Sequence, residues 1–197
     1  MDNFVITISR EHGSGGRTIG KKLAQKLGIP FYDQKLIDIA AKKSGLSESF
    51  IEDTETRPVS IIFDMYTQSR TFAVEDQAYL AEVKAIREAA KSSCVIVGRC
   101  SDYVLRAMKN CLHVFIYAPK EDRLQRIVEE YHDAEADKAQ DYLQRIDKIR
   151  VSRYSYLTGR KWGDARNYDL CVNSNLGIDT AVDAIIAVYN HIRGGNA

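Results

Sequence analysis

The sequence predicts an α/β domain built on a mainly parallel sheet, and three observations lead there. Five short apolar runs are spaced along 197 residues. Longer segments with helical periodicity separate them. The first run passes through a glycine-rich turn directly into an amphipathic helix, which is how a strand and a crossover helix are joined in parallel sheets.

The runs expected as buried strands are Phe4–Ser9, Pro30–Tyr32, Cys94–Gly98, Leu112–Tyr117 and Leu170–Val172. The first helix is expected from near Thr18, with Ile19, Leu23 and Leu27 at i, i+4 and i+8 forming one apolar stripe. Gly28 is a good stop, and Pro30 follows it. The stretch 34–93 reads as mostly helical, with breaks at Gly45 and near Pro58. It is too long for one crossover and is expected as an inserted helical lobe. Lys120–Glu130 and Asp141–Arg153 read as two charged, arginine-rich helices joined by the acidic stretch Asp133–Asp137. The last helix, Ile178–Arg193, carries Ala181, Val182, Ile185, Ile186 and Tyr189 on one face and should pack on the sheet.

Length suits a single domain, 1–197. A formal net charge of +1 gives no global reason to expect a polyanion, and no nucleic-acid partner is expected. Four cysteines (Cys94, Cys100, Cys111, Cys171) lie far apart without C-x-x-C pairing, so neither a disulfide framework nor a zinc site is expected. With no signal-peptide pattern and no apolar stretch of spanning length, a reducing cytoplasmic location without membrane contact is the expectation.

The turn Gly13-Ser14-Gly15-Gly16-Arg17-Thr18 has the composition of an anion cradle. Backbone N–H groups can point inward there, and a helix N-terminus adds about half a positive charge. The usual phosphate loop reads G-x-x-x-x-G-K-[ST]. Counting back from Gly15, the loop opens at Arg10, and Gly16 stands at the lysine position. A second register, Gly15 to Gly20-Lys21, has the lysine but sits inside the helix, where the first-turn N–H groups are spent. Gly13 and Gly15 also match the start of a dinucleotide fingerprint, with Asp33 about 20 residues on, which leaves a dinucleotide-dependent oxidoreductase as an alternative.

Several segments together resemble the cytidylate kinase-like family. They are Ile6–Arg17, Phe31-Tyr32-Asp33, Val95-Ile96-Val97-Gly98-Arg99-Cys100, Thr158–Asp164 and Asn167-Tyr168-Asp169-Leu170. The resemblance spans nearly the whole chain. It implies a three-layer P-loop fold with a five-stranded parallel sheet, a helical acceptor lobe (34–93) and an arginine-bearing lid (131–166). It also implies a phosphotransferase that uses ATP and Mg²⁺ and acts on small-molecule nucleotides, CMP or dCMP first. Ordinary members read G-S-G-K-G-T in the loop. Here the lysine is missing and Arg17 stands beside its place. Asp33 matches, but Gln34-Lys35-Leu36 follow it where ordinary members carry Ser-Gly, which leaves the acceptor open.

On this reading Gly13, Ser14, Gly15, Gly16, Arg17 and Thr18 hold the donor phosphates, and the Thr18 hydroxyl faces Mg²⁺ directly or through water. Transfer between two phosphates needs positioning and charge neutralisation more than a strong base, so convergent cations are the residues to find. Arg99 follows the third strand, at the carboxyl end where such sheets place ligands, and is expected with Asp33 on the acceptor side. Arg150 and Arg153 lie at i and i+3 on one helix face and are expected to close from the lid, with Arg17 as the third catalytic cation. Arg145, Arg160 and Lys161 are further candidates, and Arg123 and Arg126 face together near the lid's base. His12 is expected as a hydrogen-bond donor or a wall residue and His113 as a sheet-surface residue. Tyr154 and Trp162 are expected in packing, and Asp164 either orients Arg166 or a lid arginine or serves only a turn. A nucleotide-binding protein without turnover and a kinase with a non-nucleotide acceptor remain as alternatives.

Overall fold

Alternation along the strands decides how the layers form. The computed structural model describes residues 3–33, 35–45, 47–49, 51 and 70–194. Its strands are β1 (Val5–Arg10), β2 (Phe31–Tyr32), β3 (Cys94–Val97), β4 (Cys111–Tyr117) and β5 (Leu170–Asn173). The helices are α1 (Gly16–Leu27), α2 (Lys35–Ser44), α3 (Arg70–Ala89), α4 (Ser101–Val104), α5 (Lys120–Gln125), α6 (Ala139–Thr158) and α7 (Ile178–Gly194). Ile6 and Ile8 of β1 point to one face, against Ile19 and Leu23 of α1 and Val182 and Ile185 of α7. Val5 points to the other, in a cluster with Leu36 of α2 and Ala85 and Ile86 of α3. Successive strand side chains point to opposite faces, so a sheet buried on both sides must be covered twice. The result is three layers.

Every strand pairing is parallel, and the sheet order is β2-β3-β1-β4-β5. In register, Ile8 sits beside Val97 on one side and Val114 on the other. The central position of β1 places its carboxyl end between the ends of β3 and β4. This order separates the fold from the dinucleotide-binding one, in which the second strand lies directly against the first. Here β3 occupies that place, and the oxidoreductase alternative falls with it.

Local signals account for the element ends. Helix α1 starts at Gly16, two residues before the sequence expectation, because the loop closes early with Ile19 N–H donating to the Gly15 carbonyl at 2.9 Å. Gly28 caps its end in a left-handed conformation. Helix α2 ends at Ser44, before Gly45. The expected break near Pro58 lies outside the described residues. The expected helix Lys120–Glu130 is α5 followed by a wide π-helical turn, Arg126–Glu130. Helix α6 outruns its expected ends on both sides. Among the described residues, no helix is long and apolar enough to cross a membrane.

Candidate active site

Parallel strands put all their carboxyl ends on one edge, and the residues singled out from the sequence gather there. The loop from Glu11 to Gly15 leaves β1 and feeds α1. Its carbonyls are held from outside. Arg123 Nε donates to His12 O at 2.7 Å, Arg126 Nη1 to Gly13 O at 3.1 Å, and Ser174 Oγ to Ser14 O at 2.6 Å. The N–H groups of Glu11, His12 and Ser14 are taken up within the protein, by the Ile116 carbonyl, Asp147 Oδ1 and the Glu11 carbonyl, so the donors for an anion are those where the loop enters α1. The N-terminus of α1 has no side-chain cap, so its first-turn N–H groups are available to an anion.

Close approach explains the glycines. A Cβ on Gly13 would lie 2.6 Å from the Arg123 carbonyl oxygen, and the backbone there has φ +75°. A Cβ on Gly15 would lie 2.6 Å from Ile178 Cδ1, and one on Gly16 2.6 Å from Arg10 Cβ. The loop therefore has no room for a side chain at 13 or 16.

Two cavities open on this edge. One, of about 460 Å³, lies over the loop and is lined by Gly13, Gly15, Gly16, Arg17, Thr18 and Tyr131 among others. The second, of about 210 Å³, lies over the ends of β1 and β3 and is lined by Arg99, Arg153, Tyr142, Tyr154 and Trp162 among others. Arg10, His12 and Arg150 line both.

Each expected residue can now be placed. Arg17 is largely exposed at the rim, and its Nε donates to Asp33 Oδ2 at 2.6 Å, so these two positions form one ion pair. Thr18 lies exposed in the first turn of α1, facing the larger cavity. Arg99 is buried at the tip of β3, in a turn where Gly98, Arg99 and Cys100 all have positive φ. Left-handed backbone at a residue with a side chain costs about 1–3 kcal/mol, and such strain persists only where the surroundings enforce it. Here the enforcing contact is Glu82 of α3, which is fully buried. Its Oε1 accepts from Arg99 Nη1, and its Oε2 accepts from Arg153 Nη2 at 2.8 Å. One carboxylate thus holds an arginine from the sheet edge and one from α6. Arg150 Nη1 donates to the Arg10 carbonyl at 3.2 Å.

Helix α6 docks onto the edge through further buried polar contacts. Asp147 accepts from the His12 N–H at 3.1 Å and from Arg123, which also meets Glu11 at 3.2 Å. Asp102 accepts from Ser9 Oγ at 3.1 Å and from the Tyr154 hydroxyl at 2.7 Å. Burial and that carboxylate push the Tyr154 phenol far up, so it stays a donor. Sequence reasoning missed Glu82, Asp102 and Glu11. Arg145 and Arg160, by contrast, lie over Tyr142 and Tyr103. Trp162 packs edge-on against Phe115, and Asp164 holds Arg166, whose guanidinium keeps that carboxyl well below the usual range.

His12 is a neutral wall. Burial lowers its pKa to about 3, and the charges of Arg150, Arg10 and Arg123 add to the effect. Its contact of 3.0 Å with Asp133 is therefore a hydrogen bond from a neutral imidazole rather than an ion pair. Three arginines and desolvation outweigh one partly exposed carboxylate. His113 lies on the sheet face opposite the α1 side, hydrogen-bonded to Thr7 at 2.8 Å across the β1–β4 ladder. Burial lowers its pKa too. No group of His, Cys, Asp and Glu among the described residues has the arrangement of a metal site.

A model of the cytidylate kinase-like family matches residues 5–176. A cytidylate kinase of Thermoplasma acidophilum is 27% identical over 172 residues, covering 86% of this chain and 82% of that one. Among solved structures, an uncharacterized protein from Eubacterium ventriosum is 28% identical with a TM-score of 0.72, covering 95% and 99% of the two chains. Shikimate kinase from Bacteroides thetaiotaomicron shares the fold, with a TM-score of 0.55 at 14% identity, and covers 94% of this chain and 97% of that one.

Proposed function

We propose that this chain, which belongs to the cytidylate kinase-like family, is an ATP-dependent phosphotransferase whose acceptor is a nucleoside monophosphate, with CMP or dCMP the first choice. The observation that carries the reading is the pairing of a glycine cradle at the N-terminus of α1 with a second, arginine-lined cavity that adjoins it. A donor polyphosphate suits the first, and an acceptor phosphate suits the second.

In the reaction, an oxygen of the acceptor phosphate attacks the γ-phosphorus of ATP. The bond from that phosphorus to the oxygen bridging it to the β-phosphate breaks, and ADP leaves with the electron pair. Little proton chemistry is required of the protein. The loop N–H groups hold the β- and γ-phosphate oxygens. Arg99 and Arg153, fixed by Glu82, hold the acceptor phosphate, while Arg150 lies between the two cavities and neutralises charge on the transferring group. Arg17 lines the donor cavity and is held at its rim by Asp33. Mg²⁺ bound with the nucleotide would neutralise phosphate charge, and the exposed Thr18 hydroxyl fits it as a ligand, directly or through water.

The test is ADP release from ATP·Mg²⁺ with CMP, dCMP, UMP, AMP, GMP and no acceptor. Turnover that depends on CMP or dCMP supports the reading. Saturable ATP binding with a flat panel would replace it with a binding protein or a kinase for another acceptor.

A further inference from the structure

Resting on that phosphotransferase reading, we infer that Arg10 takes the place of the missing loop lysine and clamps the phosphate being transferred. Two residue types are exchanged relative to the usual loop. In the usual loop the opening position is Gly and the position after the last Gly of the motif is Lys. Here the opening position is Arg10 and the lysine position is Gly16. The two are six residues apart in sequence and touch in space.

A Cβ on Gly16 would lie 2.6 Å from Arg10 Cβ and 2.9 Å from Arg10 Cγ. Cβ is fixed by the backbone and cannot swing away, so a side chain at 16 and a side chain at 10, here an arginine, exclude one another. The far end of Arg10 reaches the tip of β3. A Cβ on Gly98 would overlap Arg10 Nη1 and lie 2.9 Å from Cζ. The side chain therefore runs from the N-terminus of α1 across to the tip of β3, from the donor side to the acceptor side.

Its surroundings fit a phosphate clamp. Arg10 lines both cavities, a property it shares with His12 and Arg150. The group passing between donor and acceptor must cross that boundary, where His12 is neutral. Other arginines of the site are committed to carboxylates: Arg17 to Asp33, Arg99 and Arg153 to Glu82, Arg123 to Glu11 and Asp147. Among the described residues no carboxylate pairs with the Arg10 guanidinium. A planar guanidinium donates two parallel hydrogen bonds to a phosphate where an ammonium acts as a point charge, so the exchange keeps the cation and changes its geometry.

The test measures the ATP·Mg²⁺ dissociation constant by calorimetry, and turnover with the best acceptor, for a set of variants checked by circular dichroism. Arg10→Met keeps the stem that packs over Gly16 and removes the guanidinium that lies over Gly98. It should weaken ATP binding at least about tenfold and cut kcat roughly 10²–10³-fold. Gly16→Lys alone should fail as well, because its stem meets Arg10. The double variant Arg10→Gly with Gly16→Lys rebuilds the ordinary loop and should recover most of what each single change loses. Arg17→Ala should weaken ATP binding less than Arg10→Met does, because Arg17 is already paired with Asp33. Arg10→Met with wild-type affinity and kcat, or a double variant no better than its parents, would overturn the assignment. A wild-type chain that does not bind ATP·Mg²⁺ would overturn the phosphotransferase reading itself, and this assignment with it.

Discussion

Glu82 offers the sharpest test of how the acceptor side is held. Its side chain is 0% exposed and its partners are nearly so, Arg99 at 4% and Arg153 at 12%. Each carboxylate oxygen serves one guanidinium, so Glu82→Gln keeps the shape while removing the charge. The amide then points its own donors at one of the two arginines. Two largely buried cations of the same sign then lose the carboxylate that lies between them. Removing one partner of a buried ion pair costs about 3–5 kcal/mol, because the charge left behind stays desolvated. For a chain of this size that corresponds to a fall of about 6–20 °C in Tm. Urea unfolding at pH 7, followed by the fluorescence of Trp162, the one tryptophan, reads the loss directly. Glu82→Asp keeps the charge but shortens the reach, and should fall between wild type and Gln. Where Glu82→Gln remains folded, the acceptor KM should rise more than the ATP dissociation constant. A stability change below about 1 kcal/mol would show that the two arginines do not depend on this carboxylate, and the account of the strained Arg99 turn would fail with it.

Further outcomes follow from the same geometry. Gly13→Ala must place a Cβ 2.6 Å from a backbone oxygen at φ +75°, a left-handed cost of about 1–2 kcal/mol before the clash is counted. ATP titration should show binding reduced at least about tenfold, with the far-ultraviolet circular dichroism unchanged. Arg150→Ala should lower kcat roughly 10²–10³-fold with a smaller change in ATP affinity, since its charge matters most when the transferring group lies between the cavities. The pKa of His12 is lowered in the folded chain to about 3, so the unfolded chain binds the extra proton first. Its contribution is fully present above pH 6.5 and is lost as pH falls from there toward 3, with a limiting slope of about 1.4 kcal/mol per pH unit. His12→Gln should flatten that part of the stability profile measured by urea unfolding between pH 4 and 7. An unchanged slope would mean that the imidazole protonates in place.

The strands were legible because strands covered on both faces read as nearly unbroken apolar runs, as Cys94–Val97 and Cys111–Tyr117 do. The glycine cradle was legible because only a backbone without side chains tolerates such close approach. The π-helical turn at Arg126–Glu130 was not; its first residue, Arg126, bonds the Gly13 carbonyl more than a hundred residues away in sequence, a contact that no local pattern announces. Glu82 left a fainter trace, a lone carboxylate on a helix face of alanines: Ala78, Ala81, Ala85 and Ala89 are all buried beside it. Small neighbours leave space for long arginines to enter from elsewhere, and a charge on such a face implies a partner of opposite sign from another element. Arg10 shows the limit most clearly. Sequence displays two separate oddities, an arginine where a loop opens and a glycine where a lysine belongs, and the natural repair is the adjacent Arg17. In the fold, Arg17 is drawn to Asp33 at the rim, while positions 10 and 16 compete for one volume. Two departures from a pattern that occupy the same space are one substitution, and the glycine at 16 records the arginine's presence as surely as the arginine itself.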